Sequence, residues 1–356
     1  MSVFESPAFE GHEGVHAFHD QASGLKCFIA IHSTARGPAA GGCRMWAYPD
    51  EQAALDDALR LSRAMSFKNA VADLELGGGK AVIIGDSHTA KTPALFEAFG
   101  RAVDTLGGRY WSAEDVGVTP ADLAHARKAT RYMAGLEGHP AASGDPSPVT
   151  AEGIKRGIEL CVRRVLGRGL DGVTVALQGV GHVGAFLADK LAADGARLVI
   201  TDVDAEALEA VAARTGARIV PPEAIFDVAA EVFAPCALGG ALTHQTAPRL
   251  KARIIAGGAN NQLADPEVGR ALFDRGIVYA PDFVINGGGI INIAGEIRAL
   301  ERGEALDGAW VEMKLARMIE TLDEVLERSL RENRPTHEIA LEIAKARITA
   351  AGASRS

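Results

Sequence analysis

In the stretch VTVALQGVGHVG, residues 173–184, a β-branched apolar run ends in three glycines spaced as GxGxxG, and a helical pattern follows. Strand, fingerprint and helix in register make a dinucleotide-binding turn; the glycine spacing alone would not. Gly179 permits the tight turn, Gly181 lets backbone amides approach a pyrophosphate, and Gly184 lets helix and strand pack closely. Val180, His182 and Val183 complete the turn. Asp202 closes the next strand, RLVITDVD, 18 residues beyond Gly184. There a carboxylate accepts from a ribose 2′-hydroxyl and repels a 2′-phosphate, so NAD is expected over NADP. A tight βα turn with no ligand, followed by a surface aspartate, is the competing reading.

Downstream the βαβ pattern continues through a second helix to further strands at EVFAPCA and RIIAGGA. Upstream, GLEGHPAASGDPSPVT, residues 135–150, gathers Gly, Pro and Ser between periodic segments and reads as an interdomain hinge that ends in a helix entry. Before the hinge, alternating runs at Val15–His19 and Lys26–Ile31 flank DQASG as a hairpin. From Glu51 to Phe67, the set Ala54, Leu55, Ala58, Leu59, Ser62 and Met65 recurs at helical spacing, and that helix delivers Lys68. A strand AVIIG, a helix over Pro93–Leu106 and a strand RYWSAED follow. The residues from Trp310 on are helical in pattern. The expected fold class is α/β, with an N-terminal α/β substrate domain over 1–140, a Rossmann NAD-binding domain over 141–334 and a catalytic cleft between them. The pattern leaves open whether a C-terminal helix near 335–356 stays with the second domain or returns to the first.

A chain of 356 residues suits two domains better than one core. A net charge of −9 argues against a nucleic-acid or anionic-membrane partner, because phosphate neutralisation needs clustered Lys and Arg. The start, MSVFESPAFEGHEG, lacks a basic region followed by an apolar one, and no run of 18 apolar residues occurs, so a cytoplasmic protein acting on small molecules is expected. Cys27, Cys43, Cys161 and Cys236 show no CxxC spacing, which suggests neither a metal site nor a disulfide framework.

The second informative stretch is DLELGGGKAVIIGD, residues 73–86, in which Lys80 follows three glycines. The first domain offers no Ser-His-Asp set and no metal-spaced histidines. It offers Lys68 and Lys80, 12 residues apart, and Asp115 at a strand end in SAEDVG. A nicotinamide enzyme acting on an amino acid needs a fixed cation for the substrate carboxylate, a base for water and a carboxylate for the amino group. Each part also has a plainer reading: Lys68 as a solvated helix end, Asp115 as a cap for VGVTPAD, and Asn260 with Asn261 as a turn.

The runs GPAAGGCRMW (37–46), MSFKNAVADLELGGGKAVIIGD (65–86), SAEDVG (112–117), GDPSPVTAEG (144–153), AGGANNQL (256–263) and PDFVINGGGIINIAGE (281–296) resemble the amino acid dehydrogenases that act on glutamate, leucine, phenylalanine and valine, most closely the leucine-acting members. The resemblance spans essentially the whole chain. It implies NAD-dependent oxidative deamination of an L-amino acid to a 2-oxo acid and ammonia, in a closed homo-oligomer. It assigns the substrate carboxylate to Lys68 with the backbone of Gly41 and Gly42, the general base that activates water to Lys80, and proton exchange with the amino group to Asp115. It places Met65 and Asn261 against the substrate, and Ser147, Thr150 and Asn260 near the nicotinamide. Ala40, Ala113, Ile290 and Ile293 then form the side-chain pocket; all are apolar, so a branched aliphatic substrate is expected over glutamate. Ala40 stands where the leucine-acting members carry a leucine, and Ile290 and Ile293 where valines are usual, which keeps phenylalanine or a broad hydrophobic range as the alternative. On this reading the glycines before Lys80 leave room for substrate and cofactor, and burial beside Lys68 makes Lys80 a base near neutral pH.

Overall fold

The computed structural model describes residues 3–353. The first unit begins with β1 (Gly14–Asp20), β2 (Leu25–Ser33), β3 (Ala39–Trp46), α1 (Glu51–Val71), β4 (Gly77–Ile84), α2 (Pro93–Asp104), β5 (Tyr110–Glu114) and α3 (Pro120–Arg127). Its strands are ordered β1-β2-β4-β3-β5. The hairpin β1–β2 and the pair β2–β4 are antiparallel, while β3 runs parallel to both β4 and β5. The helices start where the sequence supplies caps: Asp50 accepts from the Ala53 amide, Thr92 from Leu95, and Thr119 forms a reciprocal box with Asp122.

Strand periodicity sorts this sheet into two faces. One buries Ile29, Ile31, Cys43, Met45, Ala81 and Ile83 beneath Leu95, Phe96 and Phe99 of α2. The other buries Ala30 and Val82 beneath Ala54, Leu55, Ala58 and Leu59 of α1. Lys80 shares the α1 face with Val82, two positions along the same strand.

Two expectations are corrected here. The strand expected to open at Ala81 begins at Gly77, so the three glycines lie inside a strand, fully buried, and form no loop. They are glycines because nothing larger fits. A Cβ on Gly77 would lie 1.9 Å from the Ser33 carbonyl oxygen, one on Gly78 2.1 Å from the Ser66 amide nitrogen of α1, and one on Gly79 2.7 Å from the Tyr110 ring. The space expected for substrate and cofactor at these glycines is filled by protein. The strand β3 within GPAAGGCRMW was also unanticipated, because its paired glycines hide the alternation.

The second unit holds α4 (Ser147–Leu166), β6 (Thr174–Gln178), α5 (His182–Ala193), β7 (Arg197–Thr201), α6 (Ala205–Thr215), β8 (Arg218–Ile219), β9 (Val232–Pro235), β10 (Ile254–Ile255), α7 (Pro266–Asp274), β11 (Val278–Tyr279) and α8 (Asp282–Ile285). Every strand pair is parallel, in the order β11-β10-β9-β6-β7-β8. That is the doubly wound dinucleotide order, reversing direction at β6 and β9.

Three helices complete the chain, α9 (Gly288–Arg302), α10 (Gly308–Glu332) and α11 (Thr336–Ala353). The first unit comprises the residues up to Asp145, Ile290–Glu312 and those from Ala344 on; the second comprises Pro146–Gly289 and Met313–Ile343. The chain thus first crosses at Asp145, five residues later than the division at 140, and Ile290–Glu312 groups with the first unit although the sequence division left it with the second. Glu296 of α9 gives the reason. Its fully buried carboxylate accepts from the Leu136 amide (3.1 Å), the Ser143 amide (3.0 Å) and the Ser143 hydroxyl (2.6 Å), tying α9 to the segment before the crossing. The end of α11 also lies in the first unit, where Arg347 donates to the Ala70 and Val71 carbonyls at the C-terminus of α1.

Candidate active site

In β5, Tyr110 belongs to the α2-side core, so by alternation Trp111 and Ala113 look toward the α1 side, and Asp115 follows directly after the strand. In β3, Ala39, Cys43 and Met45 belong to the α2-side core, which turns Ala40, Gly42 and Arg44 to the α1 side. Ala40, Gly42, Lys80 and Ala113 therefore line one face of the sheet. The β3–β4 register pairs Ala40 with Gly78 and then Cys43 with Ala81, so Gly41 and Gly42 have no ladder partner on β4. They pair instead with Ser112 and Ala113 of β5. Both glycines are sterically required: a Cβ on Gly41 would lie 2.0 Å from the Gly79 carbonyl oxygen, and one on Gly42 2.8 Å from Cβ of Asp115. Met65 of α1 lies 3.0 Å from the same hypothetical Cβ, so the alternation of β3 is interrupted at Gly41, where the β4 ladder also lapses.

The charged centre is an ion pair. Lys80 Nζ lies 2.7 Å from Asp115 Oδ2, with the lysine side chain 7% exposed. Arg44 Nε reaches the same oxygen at 3.0 Å. Burial opposes ionisation of Asp115, but Lys80 and Arg44 outweigh it and hold the carboxyl at about 2. Arg44 also donates through Nη1 to Asp57 of α1 at 2.9 Å, and Asp57 accepts from the Tyr48 hydroxyl at 2.6 Å and from Arg60 at 2.5 Å. Sequence reasoning missed Arg44, Asp57 and Tyr48. The available signal was the arginine in GGCRMW, two positions from Gly42 on an alternating strand.

Lys68 sits in the last turn of α1, three residues and one turn from Met65, and is half-buried. Ala40 and Ala113 are buried; Ile293 is buried and Ile290 half-buried, one turn apart on α9. Cδ1 of Ile293 lies 3.7 Å from the point where Gly135 would carry a Cβ. The first unit thus gathers both lysines, Asp115 and all four expected pocket residues. The expectation of Lys80 buried beside Lys68 is modified, since its ammonium meets the Asp115 carboxylate directly.

In the second unit the glycine turn has the geometry of a phosphate cradle. Gly179 has φ +98°, a left-handed value that suits only glycine, and a Cβ on Gly184 would lie 2.0 Å from the Gly179 carbonyl oxygen. Gly181 is different: a Cβ there would meet nothing within 4 Å. Gly181 is the N-cap of α5 and no side chain caps the helix, so its first amides face the opening at exposed Gly181 and His182. Val183 is half-buried and Val180 buried. Asp202 Oδ2 accepts from the Val180 amide at 2.6 Å and Oδ1 from the Asp204 amide at 3.0 Å, which fixes the carboxylate beside the turn. These residues fit a dinucleotide.

Ser147 and Thr150 lie buried in the first turn of α4, with the Thr150 hydroxyl donating to the Pro146 carbonyl at 2.8 Å. Asn260 and Asn261 are exposed, and Asn261 is held at φ +51°. Asn286 Nδ2 donates to the Gly258 carbonyl at 3.1 Å and to Asn260 Oδ1 at 2.9 Å. A carbonyl can only accept, so Asn286 turns its amino group this way and Asn260 presents its own amino group elsewhere. Among the described residues, no group of three or more His, Cys, Asp or Glu side chains converges to hold a metal ion, and no helix is long and apolar enough to cross a membrane.

Residues 12–132 match the Glu/Leu/Phe/Val dehydrogenase dimerisation domain, and residues 200–355 match the glutamate/leucine/phenylalanine/valine dehydrogenase domain. The chain belongs to the Glu/Leu/Phe/Val dehydrogenase family. It is 44% identical to a leucine dehydrogenase of Geobacillus stearothermophilus over all of this chain and 96% of the relative. It is 40% identical to a phenylalanine dehydrogenase of Bacillus thermotolerans, over 96% of this chain and 89% of that one. Among solved structures, the L-tryptophan dehydrogenase of Nostoc punctiforme superposes with a TM-score of 0.83 at 38% identity, covering 96% of this chain and 97% of its own. This family member is accordingly an amino acid dehydrogenase, an enzyme of a nicotinamide-dependent family acting on a small-molecule amino acid.

Proposed function

We propose that this dehydrogenase catalyses the reversible, NAD-dependent oxidative deamination of a branched aliphatic L-amino acid, leucine, valine or isoleucine, to the 2-oxo acid and ammonia. The observation that carries the reading is the Lys80–Asp115 pair on the sheet face that also bears Ala40 and Ala113. Lys68, with the backbone at Gly41 and Gly42, holds the substrate carboxylate. Asp115, ionised at neutral pH, takes a proton from the substrate ammonium and frees the nitrogen lone pair. Gly179–Gly184 would hold the pyrophosphate of NAD, Asp202 its ribose, and Ser147, Thr150, Asn260 and Asn261 its nicotinamide end; the bound cofactor would supply the hydride acceptor. The neutral amino group of Lys80 removes a proton from water as its oxygen attacks the iminium carbon left by hydride loss; Asp115 returns its proton to the nitrogen, the hydroxyl proton leaves with the ammonia as ammonium as the carbonyl forms, and Lys80 gives its proton to solvent. Water, the amino-acid zwitterion and oxidised NAD enter; the oxo acid, an ammonium ion, NADH and one proton leave. Asp202 favours NAD over NADP because a 2′-phosphate would face a fixed carboxylate.

None of Ala40, Ala113, Ile290 and Ile293 can pair a charged side chain, so glutamate would leave a buried carboxylate unpaired, at a cost of several kcal/mol. Ala40 is the specific feature that favours a second reading, in which phenylalanine or a broad set of hydrophobic amino acids is accepted. Steady-state NAD reduction with a panel of L-amino acids separates the two. Leucine, valine or isoleucine should give the highest kcat/KM, with methionine and phenylalanine weaker. A kcat/KM for phenylalanine more than about tenfold above that for leucine would replace the aliphatic assignment. A closed homo-oligomer in cytoplasmic solution completes the proposal, consistent with the match to a dimerisation domain.

A further inference from the structure

The reading above uses Lys80 and Asp115 but leaves Arg44 without a role, although Arg44 touches the same carboxylate oxygen as Lys80. Both cations meet Oδ2, so Oδ1 is the oxygen they do not engage. Arg44 is not a loose surface cation. Its guanidinium spans two carboxylates, Nε on Asp115 and Nη1 on Asp57, and Asp57 is in turn held by the Tyr48 hydroxyl and Arg60. A planar guanidinium can make this two-ended bridge, whereas an ammonium is a point charge.

We propose that Arg44 is the positioning residue for proton exchange at Asp115: it pins Oδ2, aims Oδ1 at the substrate amino group and keeps the carboxylate ionised whatever the charge on Lys80. This rests on the proposed role of Asp115. The need arises from the cycle itself. When Lys80 is neutral and ready to act as a base, Asp115 loses the attraction of one of its two cations while remaining largely buried, and burial favours the protonated form. Arg44 cannot lose its proton in this way. The Val116 amide also donates to this carboxylate but carries no charge, and the other titratable groups within reach do not substitute for Arg44. Cys43 of β3 and Tyr110 of β5 are both kept neutral by burial. From α1, Asp57 and Arg60 act on Asp115 across Arg44.

The test is a vibrational titration of the Asp115 carboxyl in the full-length, substrate-free protein, with Asp115→Asn assigning the band, alongside measurement of turnover. Arg44→Gln keeps donors but removes the charge; the Asp115 midpoint should rise from about 2 by roughly one pH unit or more. Arg44→Lys keeps the charge but not the bridge; its midpoint should stay near that of the unmodified protein while turnover falls about tenfold or more through misplacement of Asp115. An unchanged midpoint in Arg44→Gln, or full turnover in Arg44→Lys, would overturn the proposal. If Arg44→Gln fails to fold, the Arg44→Lys turnover decides. Full turnover in Asp115→Asn would instead remove the reading on which the proposal stands, and the substrate-free titration is read independently of it.

Discussion

Gly77–Gly79 and Gly179–Gly184 look alike in sequence and do opposite things. Both are glycine clusters at a strand, and each is associated with one charged side chain, Lys80 in the first and Asp202 in the second. In the first, every glycine is buried in extended backbone with protein atoms where a Cβ would go. In the second, Gly179 and Gly184 are equally crowded, but Gly181 faces open space at an uncapped helix start. One cluster brings a helix and a tyrosine close to a strand; the other leaves open space in front of the uncapped start of α5. Glycine density alone does not distinguish packing from binding. The surroundings of each missing Cβ do.

The comparison can be broken at the charged residues. The largest effect is expected at Lys80: Lys80→Ala should lower turnover on the order of 100-fold or more, with KM changed far less. Near-normal turnover would mean that the packed cluster carries no catalytic group. For Lys68→Ala, the loss of a charged carboxylate partner should act mainly on KM, raising it by roughly 10-fold to 100-fold. An unchanged KM would remove Lys68 from the carboxylate site. The smallest effect belongs to the open cluster, where Asp202→Ala should narrow the NAD-over-NADP preference by about tenfold. Equal kcat/KM with both cofactors in the unmodified enzyme would contradict a role for this carboxylate in cofactor choice.

The doubly wound unit was legible because its strands β6 and β7 carry continuous apolar runs and its turn has a fixed spacing with a mechanism behind it. The two-residue strands β8 and β11 were not, since no periodicity can register in two residues. In the first unit the hairpin and α1 were plain from alternation and helical spacing. The glycine strand was misread as a loop because the residue type that usually breaks strands is here the one that lets Ser66 and Tyr110 approach. Lys80 and Asp115 could be singled out by type and by family resemblance. Arg44 offered only its place in GGCRMW as a signal; its bridge to Asp57, 13 positions away on another element, could not be read, because only the fold brings the two together. The return of α9 to the first unit was hidden for the same reason: it depends on Glu296 meeting backbone amides some 150 to 160 positions earlier.

The contrast between the clusters is tested most directly by adding one methyl group to each, as Gly78→Ala and Gly181→Ala, and measuring the unfolding midpoint and the NAD dissociation constant of both variants. In Gly78→Ala the new Cβ would lie 2.1 Å from the Ser66 amide nitrogen and 2.5 Å from its Cα, backbone atoms that cannot turn aside. It should lose at least about 3 kcal/mol of stability, the upper end of the usual overpacking range. Gly181→Ala meets nothing within 4 Å and should stay within about 1 kcal/mol of the unmodified protein, while its NAD dissociation constant rises tenfold or more. The opposite pattern, a stable Gly78→Ala and a Gly181→Ala that unfolds or binds NAD normally, would contradict the account.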